Sequence, residues 1–201
     1  TANIKEIEEL IPTGFVDGVT TNPSLIAKNG DDMAKTIKTI CSIVSGPVSA
    51  EVTATDFDTM LQEGEYLASL AKNVAVKVPL TPNGLKTCKT LREKDIMVNV
   101  TLCFTAAQAL LAAKAGATFI SPFVGRLDDL GENGMDLIED IVDIYENYDF
   151  KTEVLVASIR SAQHIIDAAV IGAHVSTLPP KVIHELYNHE ITDKGLSAFL
   201  E

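Results

Sequence analysis

Basic residues are scarce in this sequence: 16 lysines and arginines stand against 28 aspartates and glutamates, for a formal net charge of −12. A surface of that sign argues against nucleic acid as the main partner. It still allows an anionic small molecule, because a few arginines can build a local positive site. Cysteine is also sparse. Cys41, Cys88 and Cys103 lie far apart, are odd in number and show no metal-ligand spacing, so free thiols in a reducing compartment are expected. No apolar run reaches membrane-spanning length and Thr1 opens no signal peptide, so the expectation is a cytoplasmic protein with no membrane partner. No Gly-x-Gly-x-x-Gly turn follows the early strands and no Gly-x-Ser-x-Gly elbow occurs. A dinucleotide-binding sheet and a serine triad therefore find no support. His164, His174, His184 and His189 lack metal-site spacing, and Asp128-Asp129 reads more simply as a solvated loop or an ion pair with Arg126.

What is present is a regular alternation. Apolar stripes and caps predict helices over 1–10, 32–44, 57–71, 85–93, 106–115, 134–148, 161–170, 180–189 and 193–201. Short β-branched runs predict strands over 16–20, 48–52, 73–79, 97–102, 118–123, 154–157 and 175–177, with 124–129 as a loop. Seven strands alternating with helices imply parallel pairing with right-handed crossovers. The candidates are a (β/α)8 TIM barrel and an open doubly wound sheet. The helix at position 1 has no strand before it, so the expectation is an α/β fold of the barrel type over 1–201, a single domain with its first strand missing from this sequence.

Within that frame Lys77 is conspicuous, a lone charge in Asn73-Val-Ala-Val-Lys-Val-Pro79. Period-2 alternation sends Val74, Val76 and Val78 to one face and Ala75 and Lys77 to the other. An edge lysine reaching solvent is the plain reading. A lysine covered on both faces would instead be a desolvated amine able to attack a carbonyl. The same parity gathers Asn22, Ser49, Glu51, Asn99, Thr101, Ser121, Phe123 and Ser158 toward the strand ends on the Lys77 face, where a barrel builds its active site. An amine, a carboxylate and neutral hydrogen-bonding groups suit a polyhydroxylated carbonyl compound. Arg126 and Arg160 lie just past two strand ends, placed either for a phosphate or for surface ion pairs.

The motifs Gly18-Val-Thr-Thr-Asn-Pro-Ser24, Val76-Lys-Val-Pro79, Asn99-Val-Thr101, Ser121-Pro-Phe-Val-Gly-Arg126 and Ala157-Ser-Ile-Arg160 run in order over the whole chain. Together they resemble the small transaldolases, a group that includes the fructose-6-phosphate aldolases. The resemblance implies Lys77 as the Schiff-base lysine, with Glu51 and Thr101 positioning a water that relays protons. It implies that Asn22, Asn99 and Ser121 hold a dihydroxyacetone unit and that Arg126, Arg160 and Ser158 hold a phosphate. Glu51 and Phe123 stand where the aldolases carry glutamine and tyrosine, which points to a transaldolase of the pentose phosphate pathway. Its substrates would be sedoheptulose 7-phosphate or fructose 6-phosphate and an aldose phosphate, handled without cofactor or metal. An aldolase releasing free dihydroxyacetone and a non-catalytic sugar-phosphate-binding protein are the other readings. The family opens with a strand ending Leu-Asp-Thr-Ala and continues past Phe199-Leu200 into a further helix. Both are expected to lie outside this sequence, and a homo-oligomer is implied, with a decamer of two pentamers as the suggested form.

Overall fold

The computed structural model describes residues 1–28 and 32–200. Its strands are β1 (Val19–Thr20), β2 (Val48–Glu51), β3 (Val74–Pro79), β4 (Met97–Cys103), β5 (Phe119–Pro122), β6 (Glu153–Val156) and β7 (Val175–Ser176). They hydrogen-bond in chain order, β1 to β7, and every pair is parallel. The helices are α1 (Ile4–Leu10), α2 (Pro23–Lys28), α3 (Met33–Ile43), α4 (Phe57–Leu70), α5 (Pro82–Arg92) and α6 (Ala106–Lys114). They continue with α7 (Val124–Asp128), α8 (Gly134–Asn147), α9 (Ala162–Ile171), α10 (Pro180–Glu185) and α11 (Glu190–Leu200). The sheet curls into a partial (β/α)8 barrel, one strand short among the described residues.

Local chemistry explains most helix starts. Asp32, Asp56, Thr81, Thr105 and Ser161 each accept a backbone N–H from the residue three positions on, satisfying a donor that the first turn leaves free. The packing follows strand parity. Val76, Val78, Val98, Val100, Ile120, Val154 and Val156 lie on the outer face of the sheet, fully covered by a layer that includes Met60, Leu67, Leu91, Ile138 and Ile141. Burying each such side chain contributes about 1.5–3 kcal/mol. Inside the curl, Ala75, Phe119 and Leu155, with Met97 and Val175, form a separate apolar plug. Two residues further along β3, β4 and β5, on the same face, stand Lys77, Asn99 and Ser121.

The edges of the sheet, β1 and β7, flank a cleft of about 430 Å3 lined by Ile7, Leu10, Val19, Phe119, Leu155 and Val175 among others. Near the strand ends, a hydrogen bond between the Thr20 and Thr177 hydroxyls, 2.6 Å long, spans this gap.

Four elements differ from the sequence expectation. The first strand is only two residues, because ladder pairing begins where the Val19 N–H meets the Pro47 carbonyl. After it comes α2, which the Asn22-Pro23 pair starts: the Asn22 carboxamide accepts the Leu25 N–H at 2.8 Å, and proline suits the first helical turn. The expected loop 124–129 is the short helix α7, whose Val124 and Leu127 are buried. The expected helix 180–189 stops at Glu185, because His189 starts α11 instead. Its carbonyl accepts the Asp193 N–H and its ring Nδ1 accepts that of Ile191. Residue 201, the end of the last expected helix, lies outside the described residues.

Candidate active site

Parallel register sets Glu51, Lys77 and Asn99 side by side on β2, β3 and β4. Their parity turns all three into the curl, above the apolar plug. Lys77 is 8% exposed, low enough that its ammonium depends on protein partners rather than water. It has two. Its Nζ stands 3.0 Å from Glu51 Oε2 and donates to the Thr21 carbonyl at 2.7 Å. The plain reading of an edge lysine reaching solvent is therefore set aside. The lysine is covered, and a carboxylate stands within proton-transfer reach of it.

Beside this pair runs a buried polar chain. Ser121 Oγ donates to Asn99 Oδ1 at 2.7 Å, and Asn99 Nδ2 donates to Ser49 Oγ at 3.1 Å. Asn99 is fully buried, and Ser49 and Ser121 are nearly so. With its oxygen and one amide hydrogen occupied, the Asn99 carboxamide is held in one orientation. The Thr21 hydroxyl donates to the Ser49 carbonyl at 2.7 Å, tying the chain to the same loop whose backbone meets Lys77. Thr101 lies buried two residues beyond Asn99, and no hydrogen bond joins it directly to Glu51 among the described residues. Asn22 is half-buried just after β1. Its side-chain oxygen is engaged as the cap of α2, and its amide hydrogens remain to offer a ligand.

The second part of the site forms where β5 and β6 end. Phe123 pairs with Ala157 in an isolated bridge and packs against Phe104, ring centroids 5.7 Å apart. The Arg126 guanidinium stands 5.0 Å from the Phe123 centroid. Ser158 adopts a left-handed φ of 60°, a strained conformation for a residue with a side chain, and its carbonyl accepts the Gly125 N–H. That turn aims Arg160 back over α7. The Arg160 guanidinium grips Asp129 with two bonds of 2.6 Å. The expectation of a solvated loop or an ion pair with Arg126 is thus corrected: Asp129 binds Arg160, and Asp128 binds His164 Nε2 at 2.8 Å. The bonded arginine, with Arg126 nearby as a smaller influence, holds the Asp129 carboxyl below the usual carboxylate range.

Four contributors carry no local signal in the sequence. Asp128 and Asp129 read as a loop or as partners of Arg126 because their actual partners lie more than thirty residues away; His164 lacks metal-site spacing, and only its i−4 contact to the Arg160 N–H is local. Thr21 acts through its backbone carbonyl, for which side-chain chemistry carries no signal.

The family model described as Transaldolase/Fructose-6-phosphate aldolase matches residues 1–200. A protein of Rhodospirillum centenum named "Probable transaldolase" is 62% identical over 201 residues, covering 100% of this chain and 87% of that protein. One of the same name from Ruegeria sp. (strain TM1040) is 64% identical over 200 residues, covering 100% and 92%. Another from Chelativorans sp. (strain BNC1) is 61% identical over 200 residues, with the same coverage.

Proposed function

Because the chain belongs to the transaldolase/fructose-6-phosphate aldolase family, we propose that it is a transaldolase working through an imine on Lys77. The observation that carries this reading is the buried Lys77–Glu51 pair at 3.0 Å. A proton passed from the ammonium to Glu51 leaves a free amine, which attacks the ketone of a ketose phosphate such as sedoheptulose 7-phosphate or fructose 6-phosphate. The carbonyl oxygen takes up the proton held by Glu51 and departs as water, which restores the carboxylate, and the protonated imine becomes an electron sink. Removal of the C4 hydroxyl proton by Glu51, through a water beside Thr101, breaks the C3–C4 bond. An aldose phosphate leaves and a three-carbon enamine stays on Lys77. Addition of the enamine to a second aldose phosphate and hydrolysis of the imine complete the transfer.

In this reading Asn99, Ser121 and Asn22 hold the three-carbon unit, Phe123 shapes the space beside it, and Arg126, Arg160 and Ser158 receive the phosphate. The fixed Asn99 carboxamide supports that role, because a preorganised donor costs no reorientation as the substrate reacts. The pentose phosphate pathway and the cytoplasm are the setting this proposal implies. A homo-oligomer belongs to it too. Helix α11 buries none of its residues and exposes Ile191, Phe199 and Leu200, and light scattering reads the assembly directly.

Borohydride added with fructose 6-phosphate tests the chemistry. Mass spectrometry is expected to find a reduced three-carbon adduct on Lys77, lost in Lys77→Ala together with at least about a thousandfold of the transfer rate. Transfer to an acceptor without any adduct in the unaltered protein rejects the imine.

A further inference from the structure

Arg160 is already occupied. Both its terminal nitrogens, Nη1 and Nη2, bond the two oxygens of Asp129 at 2.6 Å, the fork-to-fork arrangement a phosphate would otherwise take. The guanidinium reaches that partner by crossing α7 at Gly125, where even a Cβ would lie 2.7 Å from Arg160 Nε and 2.9 Å from its Cγ. Arg126 adds its charge to the field that holds Asp129 ionised. The carboxylate therefore sits against one proposed phosphate-binding arginine and under the influence of the other.

The neighbouring aspartate is engaged differently. Asp128 accepts the Gly134 N–H at 2.9 Å and pairs with His164 Nε2, while His164 Nδ1 accepts the Arg160 N–H at 3.2 Å. That arrangement leaves Asp128 bracing the backbone beneath Arg160. Among the described residues Asp129 has no such anchor: its side chain is 54% exposed and Arg160 is its salt-bridge partner. It can swing into solvent when a stronger anion arrives.

We infer that Asp129 is a built-in competitor for the substrate phosphate at Arg160, an inference resting on the phosphate role assigned to that arginine under the proposed function. A dianionic phosphate outbids a single carboxylate for the paired arginines and drives Asp129 off by like-charge repulsion. A monoanionic carboxylate ligand matches Asp129 in charge and gains little. The residue thus raises the threshold for anion capture, favours phosphorylated sugars over sugar acids, and returns to Arg160 as the product leaves.

The test is the binding of inorganic phosphate to the full chain by titration calorimetry at fixed ionic strength, for the unaltered protein, Asp129→Asn, Arg160→Ala and the double variant. Asp129→Asn is expected to bind phosphate about two- to fivefold more tightly, the scale of one exposed ion pair. In the Arg160→Ala background the same substitution should give less than half that gain, because there is no pairing left to release. A general charge effect would persist undiminished there, and that outcome overturns the inference. Unchanged or weaker binding in Asp129→Asn, with Arg160→Ala still losing affinity, overturns the inference alone. If Arg160→Ala binds phosphate as well as the unaltered protein, the phosphate assignment of the site falls, and the inference with it.

Discussion

Asn99 joins two buried hydroxyls. Its oxygen accepts from Ser121 and its amide donates to Ser49, all three residues being buried. Removing one member of such a chain leaves the others desolvated without a bond, which typically costs about 1–3 kcal/mol. Asn99→Ala is therefore expected to lower the unfolding free energy by that amount in a denaturant titration. It should also reduce borohydride trapping at Lys77. Ser121→Ala, which keeps the Asn99–Ser49 bond, should be the milder of the two. Equal losses in both would show that the chain does not act through Asn99. The same reasoning explains the burial of Lys77, since an amine with a carboxylate and a carbonyl within 3.0 Å loses much less on leaving water than a lone one.

Among the elements, α7 matters most for its size. It is five residues long, and its N-terminal position, Phe123, provides no side-chain cap. Propensity alone would not form it. Burial of Val124 and Leu127, together with the Gly125 N–H bonded to the Ser158 carbonyl, holds it against the end of β6. A methyl group on Gly125 would lie 2.3 Å from the Ser158 carbonyl oxygen as well as crowding Arg160. Gly125→Ala is expected to cost about 1–3 kcal/mol through that overlap. Because it displaces Arg160, it should also raise the KM for a phosphorylated donor more than it lowers kcat. Thermal unfolding and steady-state kinetics check the two parts separately. A variant with lower stability and an unaltered KM would mean that α7 does not place the arginine.

At the scale of the whole molecule, the free thiols report on packing. Burial pushes Cys88 and Cys103 up to about 12 and Cys41 up to about 11, from an ordinary value of 9.0. The folded chain thus keeps thiol protons that the unfolded chain releases. Their contribution is complete below pH 9 and is lost as pH rises from about 9 toward about 12. Chemical denaturation across that window should show stability falling with pH. Replacing Cys88 and Cys103 by alanine should flatten the decline while lowering stability at neutral pH. An unchanged slope in the double variant would assign the decline to other groups.

Much of this architecture follows from local pattern. Short β-branched runs between caps and turn residues define the strands, their alternation with helices implies parallel pairing, and period-2 parity puts Glu51, Lys77, Asn99 and Ser121 on one face. These are nearest-neighbour properties of an extended chain, so they can be read without coordinates. The partners could not. Whether Arg160 meets Asp129, whether Asn99 turns toward Ser49, and whether Lys77 finds the Thr21 carbonyl depend on contacts spanning 31, 50 and 56 positions. Periodicity carries no information at that range. Helix α7 and the start of α11 belong with them: the first is held by burial against distant residues, the second by a histidine in a capping position that its residue type does not announce. The amino-acid order determined the strand faces and the place of Lys77 on one of them, and only tertiary packing decided which groups orient that lysine, because hydrogen-bond and ion-pair choices are made by proximity after the sheet has curled.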